Sequence, residues 1–441
     1  MSLIGAAIAT AMAVLFLVLF LLELLGYLTN PYIGLLLFVS VPALFVLGLI
    51  LIPAGVWWDG RRRRRPAGEA PEWPVIDLRR PRQRTVLVAV LALTMVNLVI
   101  VSMAAYGGVH YMESAEFCGQ ICHTTMEPQY AAHQAWPHAN VACTACHVGP
   151  GADAFVEAKL AGTRQLFQVM TNRVPKPVPS PADLIRTARE TCEGCHWPET
   201  LRGDQERVIR EFANDEANTE TTTTFRLHIG GGSSRLGIGT GIHWHMNLDN
   251  QVDFVAAGDG QDVIPFVRLT DRQGNVREYF AEGVTAQQIA GRPTRRMDCM
   301  DCHNRPAHTF SFTPERAIDA AIVQGRIPRE LPFARREGVA AVTESYSDRT
   351  SALAAIEKRL REFYASREGV DAAHVARAVA GVQETWSRNV FPAMNVTWGT
   401  YANHIGHVDT PGCFRCHDDG HTSPDGTVIS QDCELCHTIP E

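Results

Sequence analysis

The stretch SAEFCGQICHTTMEPQYAAHQAWPHANVACTACHVGPG, residues 114–151, contains two Cys-Cys-His motifs, and four more follow it. Together they are Cys118/Cys122-His123, Cys143/Cys146-His147, Cys192/Cys195-His196, Cys299/Cys302-His303, Cys413/Cys416-His417 and Cys433/Cys436-His437. Five read C-x-x-C-H, the signature of covalent haem c, in which two thiols add to the two vinyl groups and the adjacent imidazole takes the iron. The first, C-x-x-x-C-H, is one residue longer. One C-x-x-C alone would fit half a zinc site or a redox dithiol equally well. Here all 12 cysteines are used, and histidine follows each second cysteine in a chain with only 17 histidines in 441 residues. Six haem c groups account for the whole cysteine content, and no disulfide is required.

Residues 3–28, 32–57 and 85–107 are apolar and long enough to cross a hydrocarbon core of ~30 Å. Their only charge is Glu23. Arg61 to Arg65, Arg79, Arg80, Arg82 and Arg84 lie between the second and third stretches. The positive-inside rule puts that loop in the cytoplasm and everything beyond about Tyr106 on the outer face. No positive n-region precedes the first stretch, so it reads as a retained anchor, not a cleaved signal. The expected location is the cytoplasmic (inner) membrane, multi-pass, with the haem region periplasmic, where haem c is attached. Residues 109–441 carry 31 Lys and Arg against 42 Asp and Glu, a formal charge of −11. This charge solubilises the outer region or steers in basic partners, and it disfavours nucleic acid.

The predicted fold is a multihaem cytochrome c. Residues 1–108 form a three-helix membrane anchor, followed by a mainly α and irregular outer region packed on its haems. Within that region, 109–204 holds three motifs, 205–295 is a β-rich insertion, and 296–441 is a helical domain with three further motifs. Few Leu and Ile lie among the first motifs, as expected where macrocycles supply the apolar core. The runs in 205–295 are β-branched and alternating, and Asp271-Arg272-Gln273-Gly274-Asn275 supplies a turn, so one small antiparallel sheet is expected. Thr313-Pro314-Glu315 opens a helix, and apolar residues recur at three- and four-residue spacing through 350–367 and 371–391. These helices are expected to pack against the last three haems.

Each iron needs a second axial ligand unless it is left open. His123, His147, His196, His303, His417 and His437 are proximal by motif, which leaves eleven other histidines. His138, His308 and His421 lie near motifs, and His404 and His407 just precede the fifth, so these five are ligand candidates. His243 and His245 are also candidates; two apart in a strand they would face one side, so a single ligand between them would suffice. His228 and His374 read as ordinary surface or hydrogen-bonded residues. Met126, three residues beyond His123, could supply a thioether that raises the potential of the first haem relative to bis-histidine. That haem would lie at the membrane surface, since Cys118 follows the third span closely.

The order SAEFCGQICHTTMEPQY, HANVACTACHVGPG, AKLAG and ETCEGCHWPE after a membrane helix resembles the NapC/NirT family of membrane-anchored multihaem cytochromes over about residues 109–200. GIHWHMN, CHNRPAH and VTWGTYANHIGHVDTPGCFRCHDDGH resemble its longer members, inner-membrane cytochromes that pass quinol electrons to periplasmic carriers, including those in extracellular electron transfer. The resemblance implies oxidation of menaquinol or ubiquinol at the first haem and relay along stacked haems to periplasmic cytochromes or reductases. Residue by residue, Met126 matches the methionine of the family's first haem, and His138 matches a distal histidine expected to serve the third. Lys159 matches the lysine near the quinol, which makes Lys159 and Met126 the catalytic candidates. In two respects the sequence departs from the pattern. Its first motif has an extra residue with the methionine one place later, and Gln165 and Gln168 stand where a carboxylate follows the lysine. Glu23 is a further candidate for proton release at the outer face. Two rival readings remain: an electron-transfer subunit docked on a larger complex that binds the quinone, and a reductase, which would need an open iron. Oligomeric state is left open.

Overall fold

The computed structural model describes residues 2–25, 27, 36–62, 77–121, 123–148, 151–179, 191–197, 201, 203–231, 241–247, 249–258 and 261–439. The chain divides into two compact units, Met1–His123 and Thr124–Glu441.

The first unit contains α1 (Ser2–Leu24), α2 (Val41–Arg62), which is entered through a π-turn at Leu36–Ser40, and α3 (Pro81–Met112). All three are long and apolar enough to cross a membrane. With lipid as apolar as the side chains, helix pairing depends on close backbone approach at small residues. Such an approach is present where α1 meets α2: a Cβ on Gly5 would lie 2.7 Å from the Gly48 carbonyl oxygen, and one on Gly48 2.7 Å from the Ala9 nitrogen. Phe16, Leu37, Val41, Phe45, Ile100 and Ala104 fill the space beside them. The sequence placed the end of the anchor at 108, but α3 continues unbroken to Met112. At ~1.5 Å per residue that helix is about 48 Å long, so its ends extend past a ~30 Å core.

The second unit opens with α4 (His123–Gln134), whose first residue closes the first unit, and α5 (Ala152–Met170). The β-rich stretch forms two separate antiparallel sheets where one was expected. β1 (Asp204–Phe212) and β2 (Glu220–His228) make a long hairpin, and β7 (His437–Thr438), from the chain's end, pairs with β2. The second sheet has the order β5-β4-β3-β6, with β3 Gln251–Ala257, β4 Val263–Thr270, β5 Val276–Phe280 and β6 Arg295–Arg296. The Asp271–Asn275 segment turns β4 into β5, and the Asp271 carboxylate accepts the Gln273 and Asn275 amides at 2.9 Å.

Helices α6 (Pro314–Val323), α7 (Ala334–Thr343), α8 (Arg349–Ala365) and α9 (Ala372–Asn389) follow. Thr313 caps α6 through the Arg316 amide, as its sequence suggests. These helices share a side-chain core of their own. Ile318, Leu331, Ile356, Leu360 and Trp386 are buried together with Phe212 from β1. Asn218, in the β1–β2 turn, ties the hairpin to this core: its Nδ2 donates to the Arg329 and Leu331 carbonyls and its Oδ1 accepts from the Arg335 amide.

The motifs sit on single helical turns at Cys143–His147, Cys299–Cys302, Gly412–Arg415 and Cys433–Leu435. A turn brings residues three apart to one side, which is where two thiols must be to reach one macrocycle. The fourth and sixth turns are capped by Asp298 and Asp432. The fifth begins at Gly412, whose φ is +47°, and a Cβ there would collide with the Gly406 carbonyl oxygen. Gly412→Ala is therefore expected to cost roughly 1–3 kcal/mol through backbone strain and overpacking. A lowered thermal midpoint of the holoprotein, followed by circular dichroism, checks this. An unchanged midpoint would refute it.

Candidate haem centres

Five motif imidazoles each face a second imidazole from elsewhere in the chain. The ring centroids of His147 and His308 are 6.1 Å apart, those of His196 and His138 6.1 Å, and those of His303 and His243 6.3 Å. His417 and His245 are 5.9 Å apart, and His437 and His407 6.3 Å. With a metal–nitrogen bond of ~2.0 Å and ~1.1 Å from nitrogen to ring centre, two imidazoles trans on one iron have centroids about 6.2 Å apart. Plain aromatic packing also permits such distances. It does not explain why each of these five motif histidines meets a histidine from outside the motifs.

The hydrogen bonds of the rings fit coordination as well. Nδ1 donates to a backbone carbonyl in His138 (Pro306, 2.9 Å), His243 (Ile229, 3.0 Å), His245 (Ile242, 3.0 Å), His308 (Gln129, 3.0 Å) and His417 (Ser430, 2.9 Å). A carbonyl only accepts, so in each ring the lone pair stays on Nε2, the nitrogen that meets a metal. Burial lowers the pKa of His147, His245 and His303 and holds His308 down to about 4. All four are thereby kept in the neutral form that a metal requires. The donor set fits bis-histidine haem at five motifs, with Cys143/Cys146, Cys192/Cys195, Cys299/Cys302, Cys413/Cys416 and Cys433/Cys436 as the attachment thiols.

Several partners differ from those their sequence position suggests. His308 follows the fourth motif but meets His147 of the second. His407 precedes the fifth motif but meets His437 of the sixth, with Phe414 stacked on it at 4.2 Å. His243 and His245 are not in a strand. They sit in a 3₁₀ turn, Ile242–Met246, and reach different motifs. His138 meets His196 of the third motif.

His421 is a correction. It is buried with Nδ1 2.8 Å from the Asp418 carboxylate and Nε2 2.6 Å from the Ile264 carbonyl, so both nitrogens are committed and it braces the fifth-motif loop on β4. His404 is buried with Nδ1 3.2 Å from the Asp301 carbonyl, while the neighbouring motif imidazoles take other partners. His133 was not singled out in the sequence; it is buried 6.1 Å from His308, with Nε2 on the Val141 carbonyl. Its position at the end of α4, on the same helix as Gln129, was a signal available only from structure.

Cys122 of the first motif and the ring of His123 lie outside the described residues, as does the side chain of Glu23. Cys118 sits in a π-turn, Phe117–Ile121. A π-turn accommodates one more residue than an α-turn, the same surplus that the first motif carries. Met126 is half-buried on α4, and Lys159 half-buried on α5.

Consecutive motifs are also electrostatic neighbours. Burial raises the Cys146 thiol, with Cys143 and Cys195 adding to it. Burial pushes Cys192 up to about 11, with Cys299 and Cys146 contributing. Cys302 is pushed up to about 12 by burial and then by Cys413, and Cys436 is raised by burial and then by Cys413. The second motif thus adjoins the third, the third the fourth, the fourth the fifth and the fifth the sixth.

Attachment turns ending in paired imidazoles, in a chain with three apolar membrane-length helices, define a membrane-anchored c-type cytochrome. The family model described as "NapC/NirT cytochrome c family, N-terminal region" matches residues 80–178. The chain is 40% identical to the cytochrome c-type protein ImcH of Geobacter sulfurreducens over 448 aligned residues, covering 99% of this chain and 87% of the relative. No solved structure matches it. The chain belongs to the NapC/NirT family of membrane-anchored multihaem cytochromes c, and such a cytochrome carries covalent haem c.

Proposed function

We propose that the chain is a six-haem conduit that oxidises quinol at the outer face of the cytoplasmic membrane and passes the electrons to periplasmic acceptors. The observation that carries this reading is the succession of the second to sixth motifs as neighbours in chain order, which suits a one-directional relay. Bound haem c supplies one-electron carriers along it. Quinol oxidation to quinone releases two electrons and two protons, so the donor end needs groups that seat a lipid-soluble ring and accept protons. α5 offers an exposed apolar stripe of Val156, Leu160, Phe167 and Met170 beside the half-buried Lys159. Such a face suits a bilayer surface. We assign Lys159 to holding the quinol oxygen, and His123 with Met126 as its further ligand to the first haem, whose π-turn sets it apart from the others. The imidazole pairs at the other five motifs support relay over reduction of a small substrate, because they leave no iron position open there.

Replacing Lys159 by alanine is expected to slow quinol-driven haem reduction by about tenfold or more, the scale of a lost positioning contact. Reduction by dithionite and the absorption spectrum should stay unchanged. Stopped-flow absorption with a menaquinol analogue checks this, and an unaltered rate would remove Lys159 from the site.

A further inference from the structure

Arg415 immediately precedes Cys416 in the fifth motif and is buried, at 9% exposure. Its guanidinium is held by three backbone carbonyls: Nε donates to Gly412 at 2.9 Å, Nη1 to Gln261 at 2.9 Å and Nη2 to Asp301 at 2.6 Å. Asp301 occupies the equivalent place in the fourth motif, immediately before Cys302. One side chain thus clamps two attachment turns together at matching positions. The Asp301 carboxylate is turned elsewhere, to the Arg295 guanidinium and the Asp298 amide. The hydrogen bonds that seat Arg415 are therefore to neutral dipoles, and the Asp301 carboxylate, already bonded to Arg295, is a nearby negative charge that it shares.

The reach of that charge covers both motifs. Its carbonyl partners Gly412 and Asp301 stand immediately before Cys413 and Cys302, one in each motif. A second, independent link joins the same two centres. The turn His243-Trp244-His245 meets His303 of the fourth motif with its first residue and His417 of the fifth with its last. Trp244 and Cys416 both pack on the core of the second sheet. Charge and geometry therefore treat the fourth and fifth centres as a pair.

We infer that Arg415 is a shared fixed cation for the fourth and fifth haem centres, a positioning residue that raises both their reduction potentials together. An electron on either iron would be attracted by the buried guanidinium, and in a low-dielectric interior that attraction is stronger than at the surface. Net charge and burial are among the levers a protein has over haem potential. In the proposed relay, the pair would hold electrons between the membrane-side centres and the last one. The inference rests on reading these motifs as haem centres.

The test is a mediated redox titration of the full-length holoprotein, with no quinol present, followed by optical and electron paramagnetic resonance spectra. In Arg415→Met, two haem potentials are expected to fall by at least a tenfold change in reduction equilibrium, ~59 mV for one electron. The others should stay in place and the low-spin signature should persist. Arg415→Lys, which keeps the charge, should restore most of the shift. Arg415→Gln, which keeps hydrogen-bond donors but not the charge, should lower the same two potentials, so it decides the matter if Arg415→Met fails to mature. Unchanged potentials, a uniform shift of all haems, or a lysine variant falling as far as methionine would overturn the inference. Two missing haems in the wild-type holoprotein mass would instead overturn the haem-centre reading beneath it.

Discussion

Replacing His245 by alanine converts one haem, and only one, from low-spin to high-spin coordination; this is the expected result with the largest spectroscopic effect. His245 faces His417 at 5.9 Å with its Nδ1 tied to the Ile242 carbonyl, so its loss leaves one iron with a single imidazole. About one sixth of the low-spin intensity in the electron paramagnetic resonance spectrum should be replaced by a high-spin signal. His421→Ala is the control, because that ring is buried and lies just beyond His417 in sequence. With both its nitrogens on Asp418 and Ile264, its removal should cost about 1–3 kcal/mol of stability for the buried polar groups left behind. It should leave every haem low-spin. A high-spin haem in the His421 variant, or none in the His245 variant, would reverse the two assignments.

Trp386→Ala is expected to destabilise the helical core by about 3–5 kcal/mol, the range for removing a large buried aromatic. Trp386 is 1% exposed on α9, edge-on to Tyr346 at 5.9 Å, in the same cluster as Ile318, Ile356 and Leu360. Because this core is made of side chains and not of macrocycles, the loss should appear as a lower midpoint for helical unfolding. Haem content per chain should remain that of the wild type. A variant that loses haems in step with its helical midpoint would show that the helices depend on the cofactors after all. Helix content by far-ultraviolet circular dichroism, read against the haem absorption during the same melt, separates the two outcomes.

Local chemistry made part of this molecule legible in advance. Six Cys-Cys-His motifs are self-announcing, three apolar stretches with a single charge among them match the membrane-length helices, and Asp271–Asn275 carries the residues its turn requires. Ligand pairing was not legible, because proximity in sequence is a poor guide to the far side of a macrocycle. The attachment peptide occupies one face, so the partner must come round from another segment, as His308 does for His147 across more than a hundred residues. The His243/His245 pair was misread for a different reason. Residues two apart share a side in a strand, but in a 3₁₀ turn of about three residues they diverge by roughly 120°, which lets them serve two irons. The two sheets were hidden because β6 and β7 are two-residue strands contributed from outside the alternating runs. The helical core was hidden because apolar spacing shows that a face is buried, not which surface buries it.

The most direct test of the proposed relay is to mix oxidised full-length holoprotein in lipid vesicles with a menaquinol analogue under anaerobic conditions and count the haems reduced at the α-band. The expected result is quinol-dependent reduction that reaches all six haems, at a rate set by the quinol and abolished by a non-oxidisable analogue. Haems that stay oxidised with quinol yet reduce fully with dithionite would contradict it, and would make the chain a carrier fed by another protein's quinol site.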